Sequence, residues 1–510
     1  MSATTLRLAR RDARATDSHK QRREADQVPA RIAMPRIVFA VTAFGLVLFG
    51  LLMIYSSSSI IGLTGPEYGN DPAYFLIKQL MFVGAGTVLA IALAVFDYHR
   101  LTDGLLKVMW VVTVLLLLLV YTRAAGQETY GATRWIQIGS FTLQPSEFAK
   151  ITILLVGARI CEEYYGNGSL DAKQAIKLAG IGLVVPLILI LRQPDKGTTG
   201  VLLLTLIVMC YLSGVSGRII AAIAVVGLVC ALAYAFKDDY ARARILTVLD
   251  PFRDPFGEGY QLIQGLYAFG SGGITGVGLG FSRQKYNYLP MAHNDFIFAV
   301  IGEELGLLGT VGVLVAFGVL LWAGLKIAEN APDLTGRLIA AGCTSLIIIQ
   351  LLLNVSGVVG IFPLSGKPVP FISYGGSSVL SCLLLVGLVM SVSIRSTLPE
   401  TAHDRRRAQL RTTDEAFAED SGLGFESDVG MPQPRSSRAR QTTRGTGQTY
   451  APALSWRIID GERDVSQVPT KAPGRLVRDS RGRARIDLGP TAAQRLRDTR
   501  RDSSSSGRKR

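Results

Sequence analysis

Asp295 is the residue of this sequence best suited to acid–base chemistry. It follows His293 and Asn294 at the end of a glycine-rich segment, and an apolar run begins at Phe296. A carboxylate at the mouth of a long apolar segment is costly, so such a residue usually has a function. We therefore predict that Asp295 is a general base. The alternative is helix capping, which Asp and Asn both favour, and Asn294 is able to take that role instead.

Four cationic residues lie near helix ends and have the chemistry to bind a pyrophosphate, namely Arg134, Arg192, Lys196 and Lys367. Arginine offers a planar fork of donors and lysine a compact charge. The helix N-termini expected after Pro145 and Lys196 would add their dipoles. The alternative is that these cations only contact the phosphates of the outer lipid surface.

Two further sets of charged residues fall inside predicted helices. Glu147 and Lys150 are three residues apart and are able to form a self-contained ion pair, although the lysine is also a candidate for phosphate binding. Glu303 and Glu304 lie about two helical turns beyond Asp295, or roughly 12 Å, too far to share its proton. We predict that these glutamates pair with a cation inside the helix bundle.

Long apolar segments dominate the middle of the chain, and 49% of all residues are hydrophobic. Ten segments approach the length that crosses a bilayer: 37–56, 76–96, 105–121, 147–160, 176–191, 198–216, 218–236, 296–323, 336–360 and 374–394. The sequence therefore predicts an all-α polytopic membrane protein with about ten transmembrane helices. No disulfide framework is visible, and the five cysteines fall in or beside the predicted spans.

Basic residues outside the apolar block set the expected orientation. The formal charge of +15 comes largely from arginines in the flanking tails, which membrane orientation explains better than nucleic-acid binding does. We expect a cytoplasmic tail at 1–35, a membrane domain at 36–396 with a large outer loop at 237–295, and a disordered basic cytoplasmic tail at 397–510. Both tails are expected to be drawn to anionic lipids.

Four outward segments combine ionisable residues with Gly and Pro at the end of a predicted span: 131–150, 192–199, the end of the long loop at 292–295, and 363–378. Irregular backbone at membrane depth is tolerated only beside protein or a wet cavity, so we expect these segments to converge on one outward-facing cavity. The sequence contains no GxxxxGK[ST], HExxH, GxSxG or CxxC motif, so nucleotide, zinc-protease, serine-hydrolase and thiol-redox chemistry have no support.

Several long motifs occur in an order that resembles the SEDS family, the RodA and FtsW proteins of bacterial wall growth and division. They are IYSSSS, RWIQIGSFTLQPSEFAK, QPDKGT, DPFGEGYQLIQGLYAFGSGGITGVGLG, QKYNYLPMAHNDFIFAVIGEELG and PVPFISYGGSS. The resemblance covers about residues 36–396. It implies ten spans with both termini in the cytoplasm, in agreement with the independent interpretation above.

The resemblance also implies an activity, the polymerisation of lipid II on the outer face of the bacterial plasma membrane. A class B penicillin-binding protein and other divisome or elongasome proteins are the implied partners. Asp295 matches the family's essential aspartate, and substrate-binding roles are expected for Arg134, Lys150, Arg192, Lys196, His293, Lys367 and Ser377. The family is suspected of using a divalent cation, Mg²⁺ or Mn²⁺, and no metal-ligand spacing in the sequence decides this.

This sequence departs from the family pattern at two places near the predicted site. Met291 stands where an acidic residue is frequent, and Lys367 stands where an aliphatic residue is commoner. Two alternatives to a polymerase remain, a flippase for the lipid-linked precursor and a non-catalytic scaffold for a penicillin-binding protein. A role in division or in elongation is not decided by the motifs.

Overall fold

The computed structural model of the protein describes residues 30–122, 126–129, 132–138, 141–237 and 239–396, with two short strands near the C-terminus. The chain divides into two compact units, Met1–Gly422 and Leu423–Arg510. The two predicted cytoplasmic tails, 1–35 and 397–510, therefore fall almost wholly outside the described residues.

α-Helices make up most of the described part of the first unit. They are α1 (Ala30–Thr64), α2 (Tyr74–Val95), α3 (Tyr98–Leu119), α4 (Pro145–Cys161), α5 (Ala172–Arg192), α6 (Lys196–Leu212), α7 (Gly217–Lys237), α8 (Asp239–Leu249), α9 (Tyr260–Gly272), α10 (Ile297–Glu329), α11 (Leu334–Val358) and α12 (Gly376–Arg395). Each of the ten predicted segments falls on one of these helices. α3 and α5 each contain one π-helical turn, Leu101–Leu105 and Gly180–Val184.

Seven of these helices are long and apolar enough to cross a membrane: α1, α2, α3, α5, α10, α11 and α12. α6 and the first part of α7, Gly217–Gly227, are apolar but shorter. Helices satisfy their own backbone hydrogen bonds, which is what a hydrocarbon environment requires. The protein is thus an all-helical multi-pass membrane protein, as the sequence predicts.

α11 and α12 lie at the centre of the bundle, and most of their side chains are buried. α11 packs against α4, α6, α10 and α12, whereas α12 makes its most extensive contact with α2. The polar side chains of Gln350 and Asn354 on α11 are buried, so they face protein rather than lipid. This position makes α11 the element through which several loops are held together.

The segment predicted as the long outer loop, 237–295, contains two helices, α8 and α9, and α9 packs along α10. The chain after α9 pairs with α10 where that helix breaks at Gly306, whose φ is +68°. The N–H of Val277 donates to the carbonyl of Glu303 at 3.0 Å, and the N–H of Leu307 donates to that of Gly273 at 2.9 Å. These bonds replace helical hydrogen bonds that the break removes.

Short strands occur in both units. In the first unit β1 (Gly126–Thr129), β2 (Ala132–Ile138) and β3 (Phe141–Leu143) form an antiparallel sheet in sequence order between α3 and α4. In the second unit β4 (Arg475–Arg478) pairs antiparallel with β5 (Ala484–Asp487). The first sheet leads directly into α4, whose first turns carry Glu147 and Lys150.

Candidate active site

Asp295 lies in the turn before α10, and its carboxylate does not cap that helix. Phe296 occupies the N-cap position, and no side chain caps the helix. Among the described residues the carboxylate of Asp295 accepts no hydrogen bond, and the side-chain amide of Asn294 contacts the sulfur of Met291 at 3.7 Å. The capping alternative is therefore wrong for both residues, which leaves the carboxylate oxygens available to a ligand.

The surroundings of Asp295 change its proton affinity. Burial raises the pKa of the Asp295 carboxyl above its ordinary value, while the positive charges of Arg244 and Lys367 act in the opposite direction. Arg244 belongs to α8, and its guanidinium donates to the carbonyl of Leu364, so it also fastens α8 to the segment that carries Lys367. A raised pKa favours a general base, because proton transfer is most efficient when the base is poised near the working pH.

His293 is buried against aromatic rings rather than directed at a charge. Its ring centroid lies 4.8 Å from that of Phe75 and 5.7 Å from that of Tyr374, and its carbonyl accepts a hydrogen bond from the N–H of Tyr374 at 3.0 Å. Burial lowers the pKa of His293 to about 4, so the imidazole is neutral near pH 7. Its Nδ1 has no hydrogen-bond partner among the described residues.

A buried network of ion pairs joins three of the four predicted segments. The ammonium of Lys367 lies 3.0 Å from Oδ1 of Asp195 and 3.6 Å from Oε1 of Glu147. Glu147 in turn pairs with Lys150 at 2.6 Å. Two carboxylates and two ammonium groups balance each other here, which is what makes buried charges tolerable. The predicted pair of Glu147 and Lys150 is therefore present, but it is part of a larger network.

Asp195 is the centre of this network, although the sequence did not single it out. Its carboxylate accepts from Ser146 Oγ at 2.7 Å, Gln144 Nε2 at 2.9 Å and Thr198 Oγ1 at 2.8 Å, and it caps α6 through the N–H of Thr198. Burial alone would raise the pKa of Asp195, but Lys367 and these hydroxyl donors hold it below its ordinary range. Asp195 is thus a fixed negative charge, and it already occupies the N-terminus of α6.

The remaining predicted ligands differ in how accessible they are. Arg134 donates to the carbonyls of Gln193 and Pro194 at 3.1 and 2.7 Å, so it holds the turn before Asp195. Ser377 accepts from the N–H of Gln144 at 3.1 Å and donates to the carbonyl of Thr142 at 3.2 Å. Arg192 is exposed at the end of α5, and Lys196 is half-buried at the start of α6. Of these four, Arg192 is the most open to an external anion.

Glu303 and Glu304 belong to a second buried cluster, in which the predicted ion pair with a cation is present for Glu304, whose partner is Lys285, whereas Glu303 is held by hydroxyl and backbone donors. Lys285 Nζ lies 3.3 Å from Oε1 of Glu304, which also accepts from Ser56 Oγ at 2.7 Å. Glu303 accepts from Ser282 Oγ at 2.5 Å and from the N–H of Arg283 at 3.0 Å. The cluster fastens the chain before Asp295 to the first third of α10.

Two carboxamides on α11 complete the site, and sequence reasoning missed both. Asn354 Nδ2 donates to the carbonyls of Asp295 and Lys367 at 2.8 and 2.7 Å. Gln350 Nε2 donates to the carbonyl of Pro368 at 2.9 Å, and its Oε1 accepts from Lys150 at 2.9 Å. The available signal was two amides four residues apart in an otherwise apolar run, a spacing that places both on one helix face.

A protein-built metal site is not found in the described part of the chain. No three His, Cys, Asp or Glu side chains there come close enough to hold a metal ion. Mg²⁺ is often bound by only one or two carboxylates together with substrate phosphates. The charged groups that act on Asp295 are cations, Arg244 and Lys367, so the residues present do not form a metal-binding set by themselves.

Loop segments that carry paired charges thus lie next to Asp295, whose carboxylate accepts no hydrogen bond among the described residues. These segments lie at the ends of apolar helices, so the protein is a multi-pass membrane protein with a candidate active site at its helix ends. The profile of the cell cycle protein family FtsW/RodA/SpoVE matches residues 36–398. The chain belongs to this family, known as the SEDS family, which confirms the membership predicted from its motifs.

Curated relatives agree with this assignment. The chain is 37% identical over 360 residues to stage V sporulation protein E of Bacillus subtilis, covering 70% of this chain and 97% of that protein. It is also 37% identical over 387 residues to the probable peptidoglycan glycosyltransferase FtsW of Trichlorobacter lovleyi, covering 74% of this chain and 98% of that protein.

Two solved structures share the fold. One belongs to a peptidoglycan synthase complex studied for the structural coordination of polymerization and crosslinking, with 30% identity, a TM-score of 0.54 and coverage of 69% of this chain and 97% of that chain. The other is the rod shape determining protein RodA of Thermus thermophilus, with 27% identity, a TM-score of 0.51 and coverage of 71% of this chain and 97% of that chain.

Proposed function

We propose that this protein is a peptidoglycan glycosyltransferase that polymerises lipid II into glycan strands, with Asp295 as the general base. Family membership and the probable glycosyltransferase activity of the FtsW relatives support the reaction class. Asp295 is assigned as the base because its carboxylate accepts no hydrogen bond among the described residues. The positive charges of Arg244 and Lys367 also act on it.

In the proposed reaction the carboxylate of Asp295 removes the proton from the 4-hydroxyl of the acceptor sugar. The acceptor oxygen forms a bond to the anomeric carbon of the donor, and the bond from that carbon to the pyrophosphate oxygen breaks with inversion. Undecaprenyl pyrophosphate leaves with the bonding electrons. General-base assistance typically contributes about 10² to 10⁴ in rate, so stabilisation of the leaving group has to supply much of the remainder.

The cations divide into two groups for this second task. Arg192 and Lys196, at adjoining ends of α5 and α6, are the proposed direct ligands of the pyrophosphate. Lys150 and Lys367 are buried and already paired with carboxylates, so their proposed contribution is to hold the site in place. Arg134, His293 and Ser377 are proposed to shape the substrate site through the backbone contacts and ring packing described above.

We propose ten spans, with both termini in the cytoplasm and Asp295 facing outward from a bacterial plasma membrane. Seven helices qualify by length and composition, and α6 and α7 supply shorter apolar helices. The tenth is α4, whose charges at Glu147 and Lys150 are neutralised within the bundle, so they do not prevent insertion.

The proposed partner is a class B penicillin-binding protein within the divisome or the elongasome. Support comes from the similar chain in a synthase complex described by polymerization and crosslinking together. A divalent cation, Mg²⁺ or Mn²⁺, stays a proposal, and the reaction written above contains no step that passes through it. Polymerisation in the presence and absence of a chelator tests this point directly.

The decisive experiment compares the wild type with Asp295→Asn, using purified protein, lipid II and a cognate partner. Glycan products separated on a gel should disappear in the variant, while accumulation and partner binding stay normal. If Asp295→Asn still lengthens strands at the wild-type rate, the proposal is wrong. Loss of lipid II translocation in liposomes, with polymerisation intact, would favour a flippase. Growth supported by a folded, partner-binding variant without polymerase activity would favour a scaffold.

A further inference from the structure

Two carboxamides on one face of α11 hold the backbone of the candidate site. Asn354 bridges the carbonyls of Asp295 and Lys367 through a single amide nitrogen. Gln350, one turn earlier, bridges the carbonyl of Pro368 and the ammonium of Lys150. Both side chains are buried, and α11 is a central helix of the bundle. The segment around Lys367 is therefore tied at adjacent residues to one rigid element.

The orientation of the Asn354 side chain follows from its partners. Two carbonyl oxygens require a donor, so Nδ2 has to face Asp295 and Lys367. The carboxamide oxygen Oδ1 then has no partner among the described residues. A buried acceptor without a partner costs stability. An amide that is retained at that cost is best explained by the position it gives to the two backbones.

We infer that Asn354 is a positioning residue, whose amide fixes the general base Asp295 relative to the Lys367 segment, and that Gln350 extends this support to Lys150. This inference rests on the proposed function. The side chain of Asp295 accepts no hydrogen bond of its own in the described chain, so its placement depends on its backbone. Its backbone carbonyl is held by Asn354, and the next residue, Phe296, is the N-cap of α10.

The Lys367 segment also has to stay in register for this arrangement to work. Gly366 lies beside Asp295, and a Cβ placed on it would be in ordinary van der Waals contact with Oδ2 of Asp295 at 3.8 Å. The next residue, Lys367, carries the charge that reaches Asp195 and Glu147. A shift of this segment would therefore change both the space and the field at Asp295. A misplacement of about 1 Å at a reacting group can cost about 10²-fold in rate.

The test uses Asn354→Leu and Asn354→Asp in the full-length protein with its partner and lipid II. We expect kcat to fall by roughly 10- to 100-fold in both variants, with KM changed by less than about threefold. Arg244 and Lys367 are the charged groups that act on Asp295 from neighbouring elements. Asn354→Asp places a second negative charge near Asp295, which should raise the pKa of Asp295. The acid limb of the pH–rate profile of this variant should therefore move to higher pH. Asn354→Leu should lower the plateau without that movement.

Asn330→Leu is the matched control, because Asn330 is also a buried asparagine whose Nδ2 donates to a backbone carbonyl, that of Lys326, at 2.8 Å. It lies at the opposite end of α10, and its loss should leave kcat unchanged. The inference fails if the Asn354 variants keep wild-type kcat, or lose no more than Asn330→Leu. Asp295→Asn in the same assay separates the two ideas: if it is inactive while Asn354→Leu is normal, only this inference fails, and if it is active, both fail.

Discussion

Lys367 Nζ lies 3.0 Å from Oδ1 of Asp195, and both side chains are buried. The lysine belongs to the segment between α11 and α12, whereas Asp195 caps α6, so this contact joins two distant parts of the chain. The same ammonium reaches Glu147 on α4. One lysine thus bridges two buried carboxylates from distant parts of the chain, and its removal leaves Glu147 paired with Lys150 and Asp195 without an ion pair among the described residues.

Lys367→Met is expected to destabilise the protein by about 3–5 kcal/mol, because breaking a buried pair leaves an uncompensated charge. The thermal unfolding midpoint in detergent should fall clearly. Lys326→Met is the control, since its pair with Glu329 is largely exposed and should contribute under about 1 kcal/mol. Adding Asp195→Asn to Lys367→Met should recover part of the loss. An unchanged midpoint in Lys367→Met would contradict the interpretation of this network.

The sequence predicted the helices and the proximity of the four charged segments, whereas an outward-facing cavity between them stays a prediction. Long apolar runs fix the positions of the helices, and a carboxylate beside such a run marks Asp295 and the pair of Glu303 and Glu304. The predicted cation is present for Glu304, whose partner Lys285 lies in the preceding loop, whereas Glu303 accepts from Ser282 and backbone N–H groups instead. The helical rise per residue was enough to place Glu303 and Glu304 about two turns beyond Asp295, because residues on one helix have a known separation.

The partners across the bundle were beyond the reach of the sequence. Asp195 was visible only as a loop residue, yet it receives donors from α4, α6 and the Lys367 segment. Lys367 was predicted as a pyrophosphate ligand, and nothing local revealed that it would face Asp195. Such pairings depend on how helices distant in sequence pack, which hydrophobic periodicity does not specify. The break of α10 at Gly306 was likewise not indicated, because Gly306 lies inside a segment whose length and composition predict a single span.

The pH dependence of the reaction should reflect the raised pKa of Asp295. Activity requires the ionised carboxylate, so kcat/KM, which reports the pKa of the free enzyme, should rise with pH through an acid limb placed above the range of an ordinary aspartate. The pKa of Asp295 is higher in the folded than in the unfolded protein. This difference contributes stability to the folded state below the unfolded pKa, and the contribution is lost as pH rises through the folded pKa. Asp295→Asn should therefore unfold at a higher temperature than the wild type near pH 8, although it is inactive. A lower midpoint would contradict this assignment.

His293 should not titrate in the activity profile near neutral pH. Burial lowers its pKa to about 4, so the ring stays neutral between pH 5 and 8. Its depressed pKa contributes stability above the unfolded value of about 6.5, and this contribution is lost as pH falls towards 4. His293→Phe should keep the shape of the pH–rate profile and should lose less stability than the wild type between pH 6.5 and 4.5. A basic limb that disappears in the variant would instead make His293 a titrating participant.

Gly306 and Gly312 on α10 offer a matched pair for testing the helix break. At Gly306 φ is +68°, and an added Cβ would overlap backbone atoms of Ile274 and Gly276, which no side-chain movement relieves. Gly312 shows no atom within 4 Å of such a Cβ. Gly306→Ala is expected to cost at least about 1–3 kcal/mol through strain and to disturb the loop that leads to Asp295. Gly312→Ala should be neutral or stabilise the helix by up to about 1 kcal/mol. Thermal unfolding and polymerisation measured on both variants check the contrast, and equal effects would mean that the broken geometry of α10 does not support the site.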